Sequence, residues 1–291
     1  MANALFEGCG VALITPFENG EINYAQLDQL VDFQLQHGTD AIIACGTTGE
    51  PSTMTDAEWE SVIARVVDRV NGRIPVIAGT GGNHTAEIIQ KARRAKELGA
   101  QAQLCVTPYY NKTTQAGLIA HYTALADDDS LPVIVYNVPS RTGLNMQPET
   151  LAAIASHPNI IAMKEASGNM VQIMDMIRLC SDRIAFYSGS DELTAPFRAV
   201  GGKGVISVAA NIAPDLMRDM SHLPIDQATA LNIQALPLIN ALFSEVNPIP
   251  VKAAAAMLGM CKNELRLPLV PLSSANESKL REEMQKAGLL C

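Results

Sequence analysis

Lys164 is the residue whose position most directly suggests chemistry, because it ends an apolar segment. Residues 160–163 are Ile-Ile-Ala-Met, so we expect Lys164 at the end of a buried strand. Glu165 would point to the opposite face, and burying an unpaired ammonium is costly. Desolvation lowers a lysine pKa from its usual value of about 10.4, and the free amine condenses with ketones to a Schiff base. The alternative is a strand-end lysine that reaches solvent or a distant carboxylate.

Three other groups of residues could bind substrates or transfer protons. The threonine turn, Gly46-Thr47-Thr48-Gly49-Glu50, presents amides and hydroxyls that suit a carboxylate, although an ordinary strand-to-helix turn explains it equally well. Tyr110 and Tyr136 carry hydroxyls that either move protons or lie satisfied in a core. The guanidinium of Arg141 suits bidentate binding of a carboxylate, although a loop arginine is usually solvated.

The sequence shows no recognisable ligand set for a metal ion. Its 5 histidines have no HxH or HExxH spacing, and its 6 cysteines are widely separated without a CxxC pair. A Gly-x-Ser-x-Gly nucleophile elbow is also missing. We therefore expect no metal centre, and we expect the cysteines to be buried thiols in a reducing compartment.

Composition narrows the class of protein further. A chain of 291 residues with 48% hydrophobic content fits one large domain, or one large and one small domain. The 30 acidic and 21 basic residues give a net charge of −9, which argues against nucleic acid as a partner. The charge-free stretch 227–244 contains Asn, Gln and Pro and predicts no membrane span. No secretory signal is evident, so we expect a cytoplasmic protein.

Eight apolar segments rich in β-branched residues recur along the chain and predict strands. They do not alternate polar with apolar residues, as is typical of a parallel sheet buried on both faces. The predicted strands are residues 10–15, 41–45, 74–78, 102–107, 132–137, 160–164, 184–188 and 205–208.

Helical patterns separate these strands. One begins with a capping box formed by Thr55 and Glu58 and continues as an apolar stripe at helical spacing. Repeated strand–helix alternation predicts an α/β fold, a closed (β/α)8 or TIM barrel. A doubly wound open sheet is the structural alternative, but the glycine-rich segment 79–84 lacks the third glycine of the dinucleotide-binding motif.

Residues 209–291 contain no further strand pattern and are too long for one closing helix. We therefore predict a barrel catalytic domain over residues 1–227 and a small C-terminal helical domain over residues 228–291. The helices predicted in this part of the chain are residues 214–222, 227–244, 250–258 and 274–289.

The candidate residues share one position in this architecture. Active sites of TIM barrels lie at the carboxyl ends of the strands, where the loops converge. The amino ends of the predicted strands carry no comparable polar set. The residues at the predicted carboxyl ends are Thr47, Thr48, Gly79, Thr80, Tyr109, Tyr110, Tyr136, Asn137, Arg141, Lys164, Glu165, Ser188, Gly189 and Asp191.

Several motifs, specific in combination, carry a resemblance that runs along essentially the whole chain. Besides the threonine turn, they are PYYN at 108–111, YNVPSRTG at 136–143, KEASG at 164–168, SGSD at 188–191 and GKGVIS at 202–207. With these motifs the chain resembles the dihydrodipicolinate synthase family of pyruvate-dependent Schiff-base aldolases.

The resemblance implies a lyase that condenses pyruvate with L-aspartate 4-semialdehyde in the diaminopimelate branch of lysine synthesis. Lys164 would form the imine with pyruvate, and Thr48 would bind the pyruvate carboxylate. Arg141 would hold the carboxylate of the semialdehyde, and Gly189 and Ile206 would also lie at the substrate site. The resemblance implies no external cofactor.

The same resemblance implies a proton relay and an assembly. Tyr136, Thr47 and Tyr110 would form the relay, and Tyr110 would cross from a neighbouring subunit. A dimer would then be the minimal catalytic unit, and a homotetramer built as a dimer of dimers would be the expected form.

Members of the family that lysine inhibits carry an allosteric pocket at the dimer interface. Asn83, Glu87 and Tyr109 match that pocket. The departures are Pro51, Ser52, Asp56 and Trp59, at positions where inhibited bacterial members often carry small residues and histidines. We therefore predict weakened or absent feedback inhibition by lysine.

Two other functions remain open at this point. The first is a sister aldolase with the same Schiff base, such as N-acetylneuraminate lyase or a keto-deoxy-sugar-acid aldolase, although sugar-acid members typically lack the arginine that matches Arg141. The second is a non-catalytic barrel that binds a small acid. Borohydride reduction in the presence of pyruvate would separate an imine-forming enzyme from a simple binder.

Overall fold

Eight parallel strands close into a barrel in the computed structural model, which describes residues 4–290. The order around the barrel is β1-β10-β9-β8-β7-β6-β5-β4, and β2 and β3 form a separate two-stranded hairpin. The predicted TIM barrel is therefore confirmed. The strands are β1 Gly8–Ala12, β2 Phe17–Glu18, β3 Glu21–Ile22, β4 Ala41–Ala44, β5 Val76–Gly79, β6 Ala102–Val106, β7 Val133–Asn137, β8 Ile160–Glu165, β9 Ala185–Ser188 and β10 Gly204–Ser207.

Helices surround the barrel and continue beyond it. Within residues 4–290 no helix combines the length and the apolar character that crossing a bilayer requires. The helices are α1 Tyr24–Gln36, α2 Asp56–Val70, α3 Thr85–Glu97, α4 Gln115–Asp127, α5 Pro139–Thr142, α6 Pro148–Ile154, α7 Met170–Cys180, α8 Thr194–Ala199, α9 Pro214–His222, α10 Ile225–Leu242, α11 Ile249–Met257 and α12 Ser274–Lys286.

Helix α2 shows how local sequence sets an element and its packing. The Glu58 amide donates to Thr55 Oγ1 at 3.2 Å, and the Thr55 amide donates to Glu58 Oε2 at 2.8 Å, so the predicted capping box is present. The apolar stripe that follows is buried against the barrel, which anchors the helix. Its buried members are Trp59, Val62, Ile63, Val66 and Val70.

Side chains fill the barrel interior and separate it from the layer beneath the helices. The interior cluster mixes small residues such as Ala102 and Ala162 with larger ones such as Ile134 and Tyr187. At the amino-terminal side, Phe6 stacks on Tyr187 with ring centroids 4.3 Å apart, and the tyrosine hydroxyl donates to the Phe6 carbonyl at 2.7 Å. The interior of the barrel is thus a packed core.

A register shift in β8 sets the direction of Lys164. Val133 pairs with Ile160, but the next residue of β7, Ile134, pairs with Ala162, so Ile161 is an extra residue in β8. Beyond the shift, Ala162 packs in the barrel interior, whereas Met163 packs beneath the helices. Because side chains alternate along a strand, Lys164 faces inward. Such irregularities re-aim side chains near functional sites.

The C-terminal helices pack on the barrel as well as on one another. Residues of α10, α11 and α12 belong to the same apolar cluster as residues of β1 and α2. Helix α9 has the predicted bounds, and α10 begins at Ile225. The division at residues 227 and 228 stays a prediction, because the core is continuous across it.

The five cysteines within residues 4–290 are buried free thiols, as predicted from their spacing, and Cys291 lies outside the described residues. Burial raises the pKa of Cys105 to about 12, so its thiol stays protonated. Sequence analysis missed the short hairpin of β2 and β3, because strands of two residues have no periodicity to detect.

Candidate active site

A cavity of about 280 Å³, here called the barrel cavity, lies at the carboxyl ends of the strands. It is the place where most of the predicted site residues meet. Its lining includes six of them: Thr47, Thr48, Tyr136, Arg141, Lys164 and Gly189.

Lys164 reaches this cavity from β8 and is 5% exposed. Burial lowers the pKa of its ammonium to about 8, the nearby charge of Asp191 raises this value, and that of Arg141 lowers it. No carboxylate within residues 4–290 forms an ion pair with it. At pH 7 roughly a tenth of such amines are uncharged, against well under a thousandth at an ordinary lysine pKa. The site therefore supplies a nucleophilic amine near neutral pH.

Tyr136 lies beside Lys164 at the same level of the neighbouring strand β7. The two residues are paired in the register of the strands, and Lys164 Nζ lies 4.4 Å from the centroid of the tyrosine ring. Burial raises the pKa of Tyr136 to about 12. Its hydroxyl is therefore protonated at neutral pH and can both donate and accept a hydrogen bond.

The threonine turn follows β4 as a single 3₁₀ turn. The Gly49 amide donates to the Gly46 carbonyl at 2.8 Å, which closes the turn. Thr47 is exposed towards the cavity, whereas Thr48 is buried. Thr48 Oγ1 accepts a hydrogen bond of 2.9 Å from the side-chain amide of Asn247, which also lines the cavity.

Arg141 lies on α5, a four-residue helical turn after β7, rather than in the irregular loop expected from its sequence. The Pro139-Ser140 pair explains the helical turn, because proline is favoured at the first helical position. The Arg141 guanidinium donates to the Asn247 carbonyl at 3.0 Å. Asn247 therefore contacts both Thr48 and Arg141, the two residues expected to bind carboxylates.

Two buried carboxylates, Asp191 and Glu165, lie near Lys164. Asp191 Oδ2 accepts the amides of Val208 and Ala209 at 3.1 and 2.9 Å, and burial raises its pKa to about 6. Glu165 Oε2 accepts from the Asn137 side chain at 2.9 Å, and burial raises its pKa. Asp191 is therefore the carboxylate whose charge acts on Lys164.

The remaining predicted substrate-site residues have different surroundings. Gly189 lies against Lys164, and a Cβ atom there would be 3.0 Å from Lys164 Cε and 2.7 Å from Ala166 Cβ. A larger residue at this position would therefore push the Lys164 side chain or Ala166 out of place. Ile206 is fully buried in the barrel interior and is not among the residues lining the cavity.

Tyr110 lies apart from the barrel cavity of its own chain. Its side chain is 91% exposed, and its backbone has a φ of 66°, a region that residues with a Cβ adopt infrequently. A second cavity of about 220 Å³ adjoins the barrel cavity and shares Thr47, Tyr136 and Arg141 with it. This second cavity is empty space beside the proposed reacting groups.

The residues that match the lysine pocket lie in two places. Asn83 donates from its side chain to the Tyr109 carbonyl at 3.2 Å. Glu87 pairs with His84 at 2.9 Å and lines an open surface cavity with Asp56 and Trp59. Within residues 4–290 no three His, Cys, Asp or Glu side chains are grouped to hold a metal ion.

Sequence analysis missed the residues that the C-terminal part of the chain adds to the cavity. They are Ile239, Asn240, Phe243 and Asn247. No motif could have identified Asn247, since an asparagine before a proline is an ordinary turn signal.

Comparisons with known proteins identify the family of the chain. The model of the dihydrodipicolinate synthetase family matches residues 5–287. A relative from Caldicellulosiruptor bescii named 4-hydroxy-tetrahydrodipicolinate synthase is 52% identical over 291 residues, which covers 98% of each chain. A relative of the same name from Trichlorobacter lovleyi is 50% identical over 290 residues, covering 98% of this chain and 100% of the relative.

Solved structures extend the similarity to three dimensions. The crystal structure of dihydrodipicolinate synthase from Aquifex aeolicus matches with a TM-score of 0.95 at 45% identity. The match covers 98% of this chain and 99% of that chain. The chain belongs to the dihydrodipicolinate synthetase family, as its motifs predicted.

Proposed function

We propose that this protein is a lyase that condenses pyruvate with L-aspartate 4-semialdehyde to 4-hydroxy-tetrahydrodipicolinate, the compound in the name of its relatives. The observation that carries the proposal is the buried Lys164, whose pKa is lowered to about 8 in a cavity that also holds Thr48 and Arg141. An amine and two groups suited to carboxylates fit two substrates that are both carboxylic acids.

Lys164 forms and later breaks the covalent intermediate. Its amine attacks C2 of pyruvate, and loss of water leaves the imine. Loss of a methyl proton gives the enamine, whose carbon attacks the aldehyde, and the aldehyde oxygen becomes the 4-hydroxyl group. The amino group of the semialdehyde then attacks the imine carbon, the ring closes, and Lys164 leaves as the free amine. The imine is the electron sink, so no metal or external cofactor enters the scheme.

Tyr136, Thr47 and Tyr110 move the protons of these steps. Tyr136 and Thr47 line the same cavity as Lys164, and a hydroxyl chain transfers protons without a charged base. Tyr110 joins them from a neighbouring subunit by entering the second cavity. Its exposure in the single chain, and the empty space beside Thr47 and Tyr136, support this assignment.

The minimal catalytic unit is therefore a dimer, and we propose a homotetramer built as a dimer of dimers. Thr48 binds the carboxylate of pyruvate next to the lysine, and Arg141 binds the carboxylate of the semialdehyde. Gly189 shapes the wall around the intermediate, and Ile206 supports that wall from the barrel interior. We place the enzyme in the cytoplasm, in the diaminopimelate branch of lysine synthesis.

Borohydride trapping tests the proposal. The protein is incubated with pyruvate and borohydride, digested, and examined by mass spectrometry. We expect a reduced pyruvate adduct on the peptide that contains Lys164, and none in the K164A variant. The matched control is K203A at the other end of the barrel, where Lys203 pairs with Glu7 at 2.7 Å, and it should keep the adduct. A wild-type protein without adduct refutes the Schiff base.

Turnover then separates the synthase from its sister aldolases. Pyruvate is offered with aspartate semialdehyde or with N-acetylmannosamine, and consumption of pyruvate is measured. We expect turnover only with aspartate semialdehyde, because Arg141 suits its carboxylate. Turnover only with N-acetylmannosamine would assign the chain to the sugar-acid aldolases.

A further inference from the structure

An ion pair without solvent contact lies behind the threonine turn. It joins Glu50, the last residue of the turn, to Lys252 on α11, and the two side chains are 1% and 0% exposed. Lys252 Nζ also lies 4.1 Å from the centroid of the Phe17 ring. Neither charged side chain is among those that line the barrel cavity. The pair is therefore next to the site without contacting substrate.

Glu50 ends the turn in an unusual backbone conformation. Its φ of 57° and ψ of 41° are left-handed, which is infrequent for residues other than glycine and asparagine. Its amide donates to the Thr47 carbonyl at 3.2 Å, which adds a second hydrogen bond across the turn to the one between Gly49 and Gly46. Its second carboxylate oxygen accepts the Arg266 amide at 3.3 Å. The side chain is thus held by two C-terminal residues while the backbone holds Thr47.

The same C-terminal segment contacts the turn at a second point. Asn247, which precedes α11, donates from its side chain to Thr48 Oγ1 at 2.9 Å. The turn is consequently fixed at Thr48 and at Glu50 by residues 247–252. Two fixed points define the position and the orientation of the two threonines between β4 and α2.

A buried ion pair is weak evidence for a role in global stability. Burying both charges costs solvation that largely offsets their attraction, and apolar residues of similar size often replace such pairs without loss of stability. What apolar residues cannot supply is a directional bond to the end of the turn. The ion pair therefore contributes mainly by fixing the geometry of the threonine turn.

We infer that the Glu50–Lys252 ion pair is a positioning device that holds the threonine turn in the geometry that binds pyruvate. Both members are positioning residues that act through Thr47 and Thr48. The inference rests on the proposed function and adds to it the requirement that the C-terminal segment completes the pyruvate site. Loss of the ion pair should therefore weaken the binding of pyruvate and leave the binding of aspartate semialdehyde unchanged.

The test compares E50Q, K252M and the double variant E50Q/K252M. E50Q keeps the size of the side chain and an acceptor for the Arg266 amide. We expect each variant to raise the KM for pyruvate about 10-fold or more and to slow borohydride trapping in proportion, because small misplacements of binding groups have effects of this size. The KM for aspartate semialdehyde should stay within about 2-fold, as Arg141 is not displaced.

The matched control is E58Q. Glu58 pairs with Arg266 in the same region, but it lies on α2 outside the turn. It should lower the thermal midpoint and leave the KM for pyruvate unchanged. The inference is overturned if E50Q keeps the wild-type KM for pyruvate, or if E58Q raises that KM equally. If the K252M variants do not fold, E50Q decides the question by the same criteria. Absence of a wild-type adduct refutes the proposed function instead.

Discussion

Lys164 Nζ lies 4.4 Å from the centroid of the Tyr136 ring, and the pairing of β7 with β8 places the two residues side by side. The ring face stabilises the ammonium, while the hydroxyl is free to transfer protons. One tyrosine therefore has two separable roles, a ring contact and a proton transfer.

Replacing Tyr136 by phenylalanine should separate these roles. Y136F keeps the ring beside Lys164, so the pyruvate adduct should still form and be trapped by borohydride. It removes the proton carrier, so we expect kcat to fall about 100-fold to 10,000-fold. The measurement compares Y136F with the wild type in two assays, the fraction of protein trapped by borohydride and the steady-state kcat. An equal loss of both would show that the hydroxyl is needed to form the imine itself.

Neutralising Asp191 should shift the pH dependence of imine formation. Asp191 is ionised above pH about 6, and its charge raises the pKa of Lys164, which is about 8. The rate of trapping should therefore rise with pH around 8 in the wild type, since only the free amine reacts. In D191N the midpoint should move to lower pH by about 0.5 to 1 unit. D175N, on the exposed surface of α7, is the control. A wild-type midpoint in D191N would contradict the role of Asp191.

The planar guanidinium of Arg141 should matter beyond its charge. R141K keeps a positive charge near Lys164 but loses bidentate binding of a carboxylate. We expect the KM for aspartate semialdehyde to rise about 10-fold to 100-fold, with the KM for pyruvate nearly unchanged. R178K, on the exposed surface of α7, is the control. A rise in the KM for pyruvate alone would place Arg141 at the other substrate.

His121 should make the fold sensitive to acid. The residue is buried against Tyr122, its Nδ1 lies 2.9 Å from Thr85 Oγ1, and burial lowers its pKa to about 4 from an unfolded value of about 6.5. Because the unfolded chain binds the proton more tightly, stability falls as pH drops from 6.5 towards 4, by up to about 3 kcal/mol.

Urea unfolding of H121Q across this pH range measures that contribution. Glutamine does not ionise between pH 4 and 7, so the stability of the variant should depend less on pH than that of the wild type. Replacing the exposed His84 by glutamine should leave the wild-type dependence in place. Parallel curves for the wild type and H121Q would contradict the prediction.

Feedback inhibition by lysine should be weak or absent. Lys91 Nζ lies 3.6 Å from Asp56 and 5.6 Å from the centroid of the Trp59 ring, beside the surface cavity that Glu87 also lines. The chain's own ammonium thus opposes binding of another cation there. Steady-state rates at millimolar lysine should remain close to the uninhibited rate, with the coupling enzyme checked separately. Strong inhibition at low lysine concentration would refute this prediction.

Much of the fold could be predicted because each element carries a local signal. The apolar strands and the Thr55–Glu58 capping box depend on neighbouring residues, and the structure confirms them. The register shift at Ile161 could not be predicted, since β-branched residues fit a regular strand and an irregular one equally well. That extra residue nevertheless decides which residues of the end of β8 face the cavity.

The candidate site likewise contains residues that the sequence predicts and residues that it does not. Lys164 and the threonine turn are visible as polar residues that follow apolar strands, and the barrel cavity contains them. Asn247 and Lys252 could not be identified, because their partners are far away in the sequence and neither lies in a motif. The sequence places Tyr110 among the site residues, whereas the single chain leaves it exposed.

The two contacts that hold the threonine turn join residues 199 and 202 positions apart. A ribosome therefore delivers Thr48 and Glu50 long before it delivers Asn247 and Lys252. The nascent chain can pair its strands as they emerge, yet its keto-acid pocket stays unfinished until translation is almost complete. A polypeptide released early, just after β10, would carry the reactive amine but lack the residues that organise the place where its substrate binds.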